Sequence, residues 1–457
     1  MNTSKSLIRS AFRIAVLVSA LAPFQAAIRV DQNEAIADFP KAIHFYITAS
    51  SSTEIVSVEL QFGTDALSCG ESVTRAIPED FTSGISIETD YEWNLSRSGP
   101  IPPGTVVWWR WQITDASGEV FTTPEKNLLF TDESQDWLDR ESDSILLHWS
   151  EGSAAFAEDL LAAGEASMED LSLLTGVEVE TRIQAFIYAS SEEMQSATLF
   201  APAWSGGLAF GDHNTILVAI HPSSLEWGRR ALAHELAHVM IGRYIFSCIA
   251  DMPVWLNEGL AMVTEGSLES YYQDLLADAI KNDQLLSVRE LGVIFSNEPS
   301  LASLGYAQSF SLVSFLKEEY GQELMLSLLD EFRDGVSEDR ALEKVYGMDR
   351  DGLDRTWRAS VGAATIQAAS TAGPTPTRTP FPTLAPITGP EFQPTETAQV
   401  VAQDQAAHTE AQETPLMEKS EGNRGEGNSP SSVFVLGGGA LVLLLAGWII
   451  LRRKKHE

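Results

Sequence analysis

Cysteine is nearly missing from this chain: 457 residues hold two, Cys69 and Cys248. That count excludes a disulfide-built scaffold and a cysteine-rich metal cluster. The two lie far apart in the chain, and neither has the His or Asn context of a nucleophile, so two separate thiols are expected. Positive charge is also scarce. Lys and Arg number 30 against 64 Asp and Glu, for a net charge of -34, and Arg452, Arg453, Lys454 and Lys455 crowd the last few positions. Nucleic-acid binding needs a basic footprint, so no nucleic-acid partner is expected. Histidine is rare at 8, which gives weight to any pair at ligand spacing.

Long apolar stretches are confined to the two ends. Lys5, Arg9 and Arg13 precede a short apolar core over 14–21 and two alternative cleavage patterns, Ala20-Leu21-Ala22 and Gln25-Ala26-Ala27, so 1–27 reads as a signal peptide. Residues 433–451 carry no charge over 19 positions, enough to cross a hydrocarbon core of about 30 Å. The basic tail 452–457 then stays cytoplasmic by the positive-inside rule. The expectation is a single-pass protein of the cell membrane, anchored through this C-terminal span, with its N-terminal domains extracellular. Before the span, 363–432 is rich in Pro and Thr and poor in aromatics, and reads as a disordered stalk. No Leu-Pro-x-Thr-Gly wall-sorting signal precedes the span.

Over 28–131 the period is that of strands. Val56, Val58, Leu60 and Phe62 alternate with polar residues, as do Val107, Trp109, Trp111 and Ile113. An all-β sandwich of immunoglobulin or fibronectin type is expected, with the tryptophans packing its core rather than forming a carbohydrate platform. Asn94-Leu95-Ser96 is a glycosylation sequon.

From 137 to 362 the character changes. Strands are expected at 145–149, 179–188 and in a hairpin over 207–220. Helices are expected at 154–174, 268–280, 306–320, 324–332, 337–346 and 349–357. Within this segment stands Ala231-Leu-Ala-His234-Glu235-Leu-Ala-His238. One helical turn separates the two histidines, so both imidazoles face one way and can hold one Zn2+. Glu235 beside them is placed to take a proton from water on such an ion. Leu232, Leu236, Val239 and Met240 give the helix an apolar face. Downstream, Trp255-Leu-Asn-Glu258-Gly-Leu-Ala261 offers Glu258 as third ligand. Two His and one Glu leave a coordination position open, which marks a catalytic rather than a structural zinc. His213 and His221 are expected as loop residues.

The two blocks together resemble the gluzincin metallopeptidases, closest to peptidase MA-like domains related to the aminopeptidase N family. Nineteen residues, Val239 to Asn257, separate His238 from Glu258, one more than the family's usual spacing. The resemblance implies an α+β zinc peptidase domain, with His234, His238 and Glu258 as metal ligands and Glu235 as general base. It also implies an edge strand at 207–220 that aligns a peptide or protein substrate, and a Tyr or His that steadies the oxyanion. Tyr306 is the candidate, as the opener of a helix, ahead of Tyr244 and Tyr271. Two departures stand out. No Gly-x-Met-Glu-Asn segment anchors a free amino group, so an endopeptidase is expected. Four residues after Glu258 stands Met262, where thermolysin-like enzymes carry an acid, so the histidine's supporting partner is unassigned. The competing reading is an extracellular binding or adhesion protein with an inactive peptidase-like domain.

Overall fold

A computed structural model describes residues 28–70, 73–201, 205–292 and 299–364. The signal peptide, the stalk beyond Ala364 and the apolar run at 433–451 lie outside the described residues. Among the described residues, no helix is long and apolar enough to cross a membrane.

The first part is built on strands β1 (Ile28–Asp38), β2 (Ala42–Thr64), β3 (Thr74–Ala76), β4 (Gly84–Asn94), β5 (Thr105–Asp115), β6 (Val120–Thr122) and β7 (Lys126–Phe130), with a one-turn helix α1 (Leu95–Ser98). These seven strands form one hydrogen-bonded sheet rather than two separate ones. The 23-residue β2 is the reason. Its first half pairs with β1 and β4, and its second half with β3 and β5. Register shifts near Ser50 and Ile55 bend it between the halves. The sheet thus folds over on itself, and Phe45 of one half meets Phe62 and Trp109 of the other at ring distances of 5.4 and 5.8 Å. The bulge also moves the expected alternation by one residue. Ile55 is fully buried and Val56 is 46% exposed, because an extra residue flips the faces that follow it. Trp109 and Trp111 fill the core beside Ile43, Ile47 and Ile113. Each fully buried Ile or Phe there contributes about 1.5–3 kcal/mol.

The second part opens with β8 (Leu138–Glu141), β9 (Ile145–Trp149), α2 (Ala154–Thr175), β10 (Ile183–Tyr188), α3 (Ser191–Ser196), β11 (Gly207–Phe210) and β12 (Thr215–Ala219). The sheet order is β11-β12-β10-β9-β8. The three central strands are parallel and buried, and both edges run antiparallel. Helices follow: α4 (Leu225–Tyr244), α5 (Val254–Thr264), α6 (Ser270–Lys281), α7 (Val288–Leu291), α8 (Pro299–Arg333), α9 (Glu338–Tyr346) and α10 (Arg350–Ser360). Expected breaks at 321–323 and 347–348 are present, as Gly321 and Gly347 take left-handed φ of 77° and 73°. A buried clamp closes the helical lobe, with Arg358 bonded to Asp354 and to the carbonyls of Leu285 and Leu286.

The two parts pack together. Phe39 reaches the cluster of Phe186, Tyr188 and Leu217 on the outer face of the second sheet. The amide of Leu67 donates to the Asp212 carbonyl at 2.9 Å, and Thr105 Oγ1 lies 3.2 Å from His213 Nδ1. Beside this contact Cys69 and Cys248 form a disulfide. The expectation of two separate thiols is therefore corrected. The partners are 179 positions apart and meet only because the loop after β2 docks against the segment joining α4 to α5.

The His213 side chain is 7% exposed at this junction with Thr105 and Asp212, and Asp65 acts on it electrostatically. Burial pushes its imidazole below the ordinary 6.5, and the two aspartates only partly offset this. The folded chain then binds fewer protons there than the unfolded chain. Stability is full above about pH 6.5 and falls as pH drops through the window down to the lowered value. Melting temperatures at pH 7.5 and 5.5 should show a smaller acid loss for His213→Gln than for the unaltered protein.

Candidate metal centre

Helix α4 lies across the sheet, with Leu232, Leu236 and Val239 wholly buried against it, α2 and α5. That fixes the opposite turn, which carries His234 and His238, toward α5. The imidazoles sit edge to face, 4.8 Å apart. Helix α5 brings Glu258 to them. Its Oε2 is 3.5 Å from His234 Nε2 and 3.6 Å from His238 Nε2. Among the described residues, this is the group whose donor atoms converge as metal ligands would, all within 4.8 Å of one another. A tetrahedral zinc with bonds of about 2.1 Å holds its ligands about 3.4 Å apart, close to the 3.5 and 3.6 Å from Glu258 to the two imidazoles. Glu258 Oε2 is buried without a hydrogen-bond partner, as an oxygen reserved for a cation would be. The donor set fits zinc.

The other ring nitrogens face away from this point. His238 Nδ1 is 3.1 Å from Asn257 Oδ1, and His234 Nδ1 is 2.8 Å from Glu265 Oε1. Accepting oxygens at Nδ1 leave Nε2 of both rings for a metal. Glu265 is the support the sequence reading left unassigned. It stands seven residues after Glu258, two helical turns instead of one, which returns it to the same face of α5. A search at both one and two turns would have found it. Asn257, the residue before Glu258 on α5, touches His238 directly.

Electrostatics ask for a positive charge here. Burial opposes charge on His234, yet Glu258 and Glu265 outweigh it and carry its pKa well above 6.5. Burial likewise opposes charge on Glu258, and the two histidines outweigh it and lower its pKa. Either a proton or a metal ion answers the same demand, so metal binding releases a proton. For Glu235, burial wins over the attraction of His234 and His238, and its pKa rises above 4.5.

Two glycines bring the backbone close. A Cβ on Gly207 would collide with Glu235 Oε1, so edge strand β11 passes directly against that carboxylate. A Cβ on Gly259 would lie 2.5 Å from the Ser309 carbonyl on α8, so Gly259 lets the helix bearing Glu258 press onto α8. Gly259→Ala should cost about 1–3 kcal/mol through overpacking. Calorimetry of the variant should show the lower melting temperature.

Tyr306 lies two turns inside α8 and does not open it. Its ring is 6.4 Å from that of His234, packed with Met262 and Tyr272. Tyr244 is turned away, donating to Asp330 at 2.6 Å beneath the Arg333 guanidinium. Tyr271 is half exposed against Tyr272. His213 sits in the β11–β12 turn, and His221 caps the turn Pro222–Ser224.

Residues 162–363 match the family model of the Peptidase MA superfamily. No curated protein matches the chain. Among solved structures, an M1 zinc metallopeptidase from Deinococcus radiodurans is similar at 12% identity and a TM-score of 0.32, over 73% of this chain and 94% of that one. A two-domain M1 zinc metallopeptidase bound to L-arginine gives 13% and 0.33, over 75% and 96%. The sporulation control protein Spo0M of Bacillus subtilis gives 14% and 0.17, over 31% and 56%. Residues 162–363, which match the Peptidase MA superfamily model and hold the His-His-Glu donor set, are thus a gluzincin peptidase-like domain.

Proposed function

We propose that this protein is a zinc endopeptidase, exported and held at the cell surface by a C-terminal span. The observation that carries the reading is the convergence of the donor atoms of His234, His238 and Glu258 within 4.8 Å of one another, with Glu235 beside them. A zinc ion bound there polarises a scissile carbonyl and acidifies water. Glu235, a stronger base for its burial, takes the proton as water attacks and passes it to the leaving amine. Strand β11 pairs only with β12 among the described residues, so its other edge offers backbone groups to an extended substrate. Gly207 sets that edge against Glu235. Tyr306, whose ring lies 6.4 Å from that of His234, is the candidate to steady the developing oxyanion.

Cleavage within chains is supported by the segment before and along β11, Ser205-Gly-Gly-Leu-Ala-Phe210, which has no acid to hold a free amino group. Export is supported by the disulfide, a bond that persists in oxidising compartments. The 1–27 and 433–451 segments supply the signal and the anchor in this reading.

The test is digestion of an unfolded protein, with products read by mass spectrometry. Internal fragments that vanish on chelation support the proposal. Stepwise loss of N-terminal residues would make it an aminopeptidase. Zinc binding without any cleavage would favour a binding protein.

A further inference from the structure

We propose that Arg230 is a positioning residue of the metal centre, acting on His234 through Glu265; the inference rests on the zinc reading above. Arg230 precedes His234 by four residues on α4, so the two side chains leave the same face one turn apart. Its Nη2 is 3.0 Å from Glu265 Oε2, while Glu265 Oε1 is 2.8 Å from His234 Nδ1. Each carboxylate oxygen therefore has one partner, and the Glu265 side chain is 1% exposed. Nη1 of Arg230 donates to the Ser267 carbonyl at 3.2 Å, and Nε is 3.3 Å from Glu269 Oε1. The guanidinium is thus hydrogen-bonded at two points on the turn between α5 and α6, Glu265 and Ser267, while Nε makes no hydrogen bond to the nearby Glu269. From there it fixes the tilt of the Glu265 carboxylate.

That matters because Glu265 ends α5, where nothing in the helix dictates its side-chain direction. A carboxylate held by one imidazole alone can pivot about that bond. Held by the Arg230 fork as well, it presents Oε1 in one place, and His234 Nε2 stays aimed at Glu258. A planar guanidinium suits this role better than an ammonium, since it engages several acceptors in fixed directions. Without Arg230, Glu265 would also be a buried charge lacking its main counter-charge.

The alternative is an ion pair that only pins the α5–α6 turn. Zinc affinity separates the two, measured on the full chain by competition with a chromophoric chelator, alongside melting of the metal-free protein. Removal of a support behind a metal-bound His typically weakens metal binding about 10–100-fold. Glu265→Gln should fall in that range, and Arg230→Met should weaken zinc by about tenfold. Arg230→Met added to Glu265→Gln should weaken it no further, since both act along one path. Arg230→Lys should recover part of the loss, and Glu269→Gln should leave zinc affinity unchanged within about twofold.

Arg230→Met that lowers the melting temperature but leaves zinc affinity at the unaltered value would overturn the proposal. So would an undiminished Arg230→Met effect in the Glu265→Gln background. If the unaltered protein itself takes up no zinc, the zinc reading falls and this inference with it, a result distinct from either of the others.

Discussion

Replacing Glu235 by Gln should lower kcat about 10²–10⁴-fold while the protein keeps its zinc. Gln has the size of Glu, so it fits between α4 and the backbone at Gly207, where a Cβ would already collide with the carboxylate. What it lacks is the ability to accept and return a proton. The metal ligands are untouched: His234 and His238 keep their accepting partners at Glu265 and Asn257. KM should move little if substrate pairs with β11 as proposed, since that pairing uses backbone groups and not the Glu235 side chain. Steady-state kinetics with zinc content measured on the same sample checks this. Loss of zinc together with activity would show that Glu235 supports the site instead of acting in it. Unchanged activity would remove it from the reaction.

Replacing Cys248 by Ser should destabilise the protein by about 3–5 kcal/mol, a fall in melting temperature of roughly 5–15 °C. The bond closes a loop of 179 positions and ties the first sheet to the segment between the two helices that bear ligands. Opening it returns that long loop to the unfolded ensemble and frees the 245–253 segment from its anchor. Cys69→Ser should match Cys248→Ser, and the double variant should be no worse, since the interaction belongs to the pair. Differential scanning calorimetry of the three variants, with the unaltered protein run with and without reductant, measures it. A shift below about 1 °C on reduction would mean that docking of Leu67 and Thr105 already holds the two parts together.

Local chemistry was legible in the sequence, and contacts across long separations were not. His234 and His238 are one turn apart, so their common face follows from helix geometry alone. Glu258 could be assigned by its block, and the structure brings all three together. Glu265 escaped because support was sought one turn from Glu258, at Met262, whereas the helix returns to that face at two turns as well. The disulfide escaped because it joins loops of the two parts, which no local pattern brings together. The bend in β2 escaped because a bulge shifts the alternation by one residue, and Val56 reads as core until the sheet is seen to fold. Strand β8 carries four exposed residues and no apolar alternation, so nothing in its composition marks it as an edge. Tyr306 was placed at a helix start because Gly305 reads as a boundary, whereas packing of Ala302 and Ala307 against α5 and α6 carries α8 through it.

Zinc absorption spectroscopy on the purified full chain bears most directly on the central claim that His234, His238 and Glu258 form a catalytic zinc centre. One zinc per chain is expected, with two imidazole nitrogens and one carboxylate oxygen at about 2.0–2.2 Å and a further light ligand completing the shell. Glu258→Gln should lose most of that metal. A chain without stoichiometric zinc, or zinc retained in full after Glu258→Gln, would contradict the assignment.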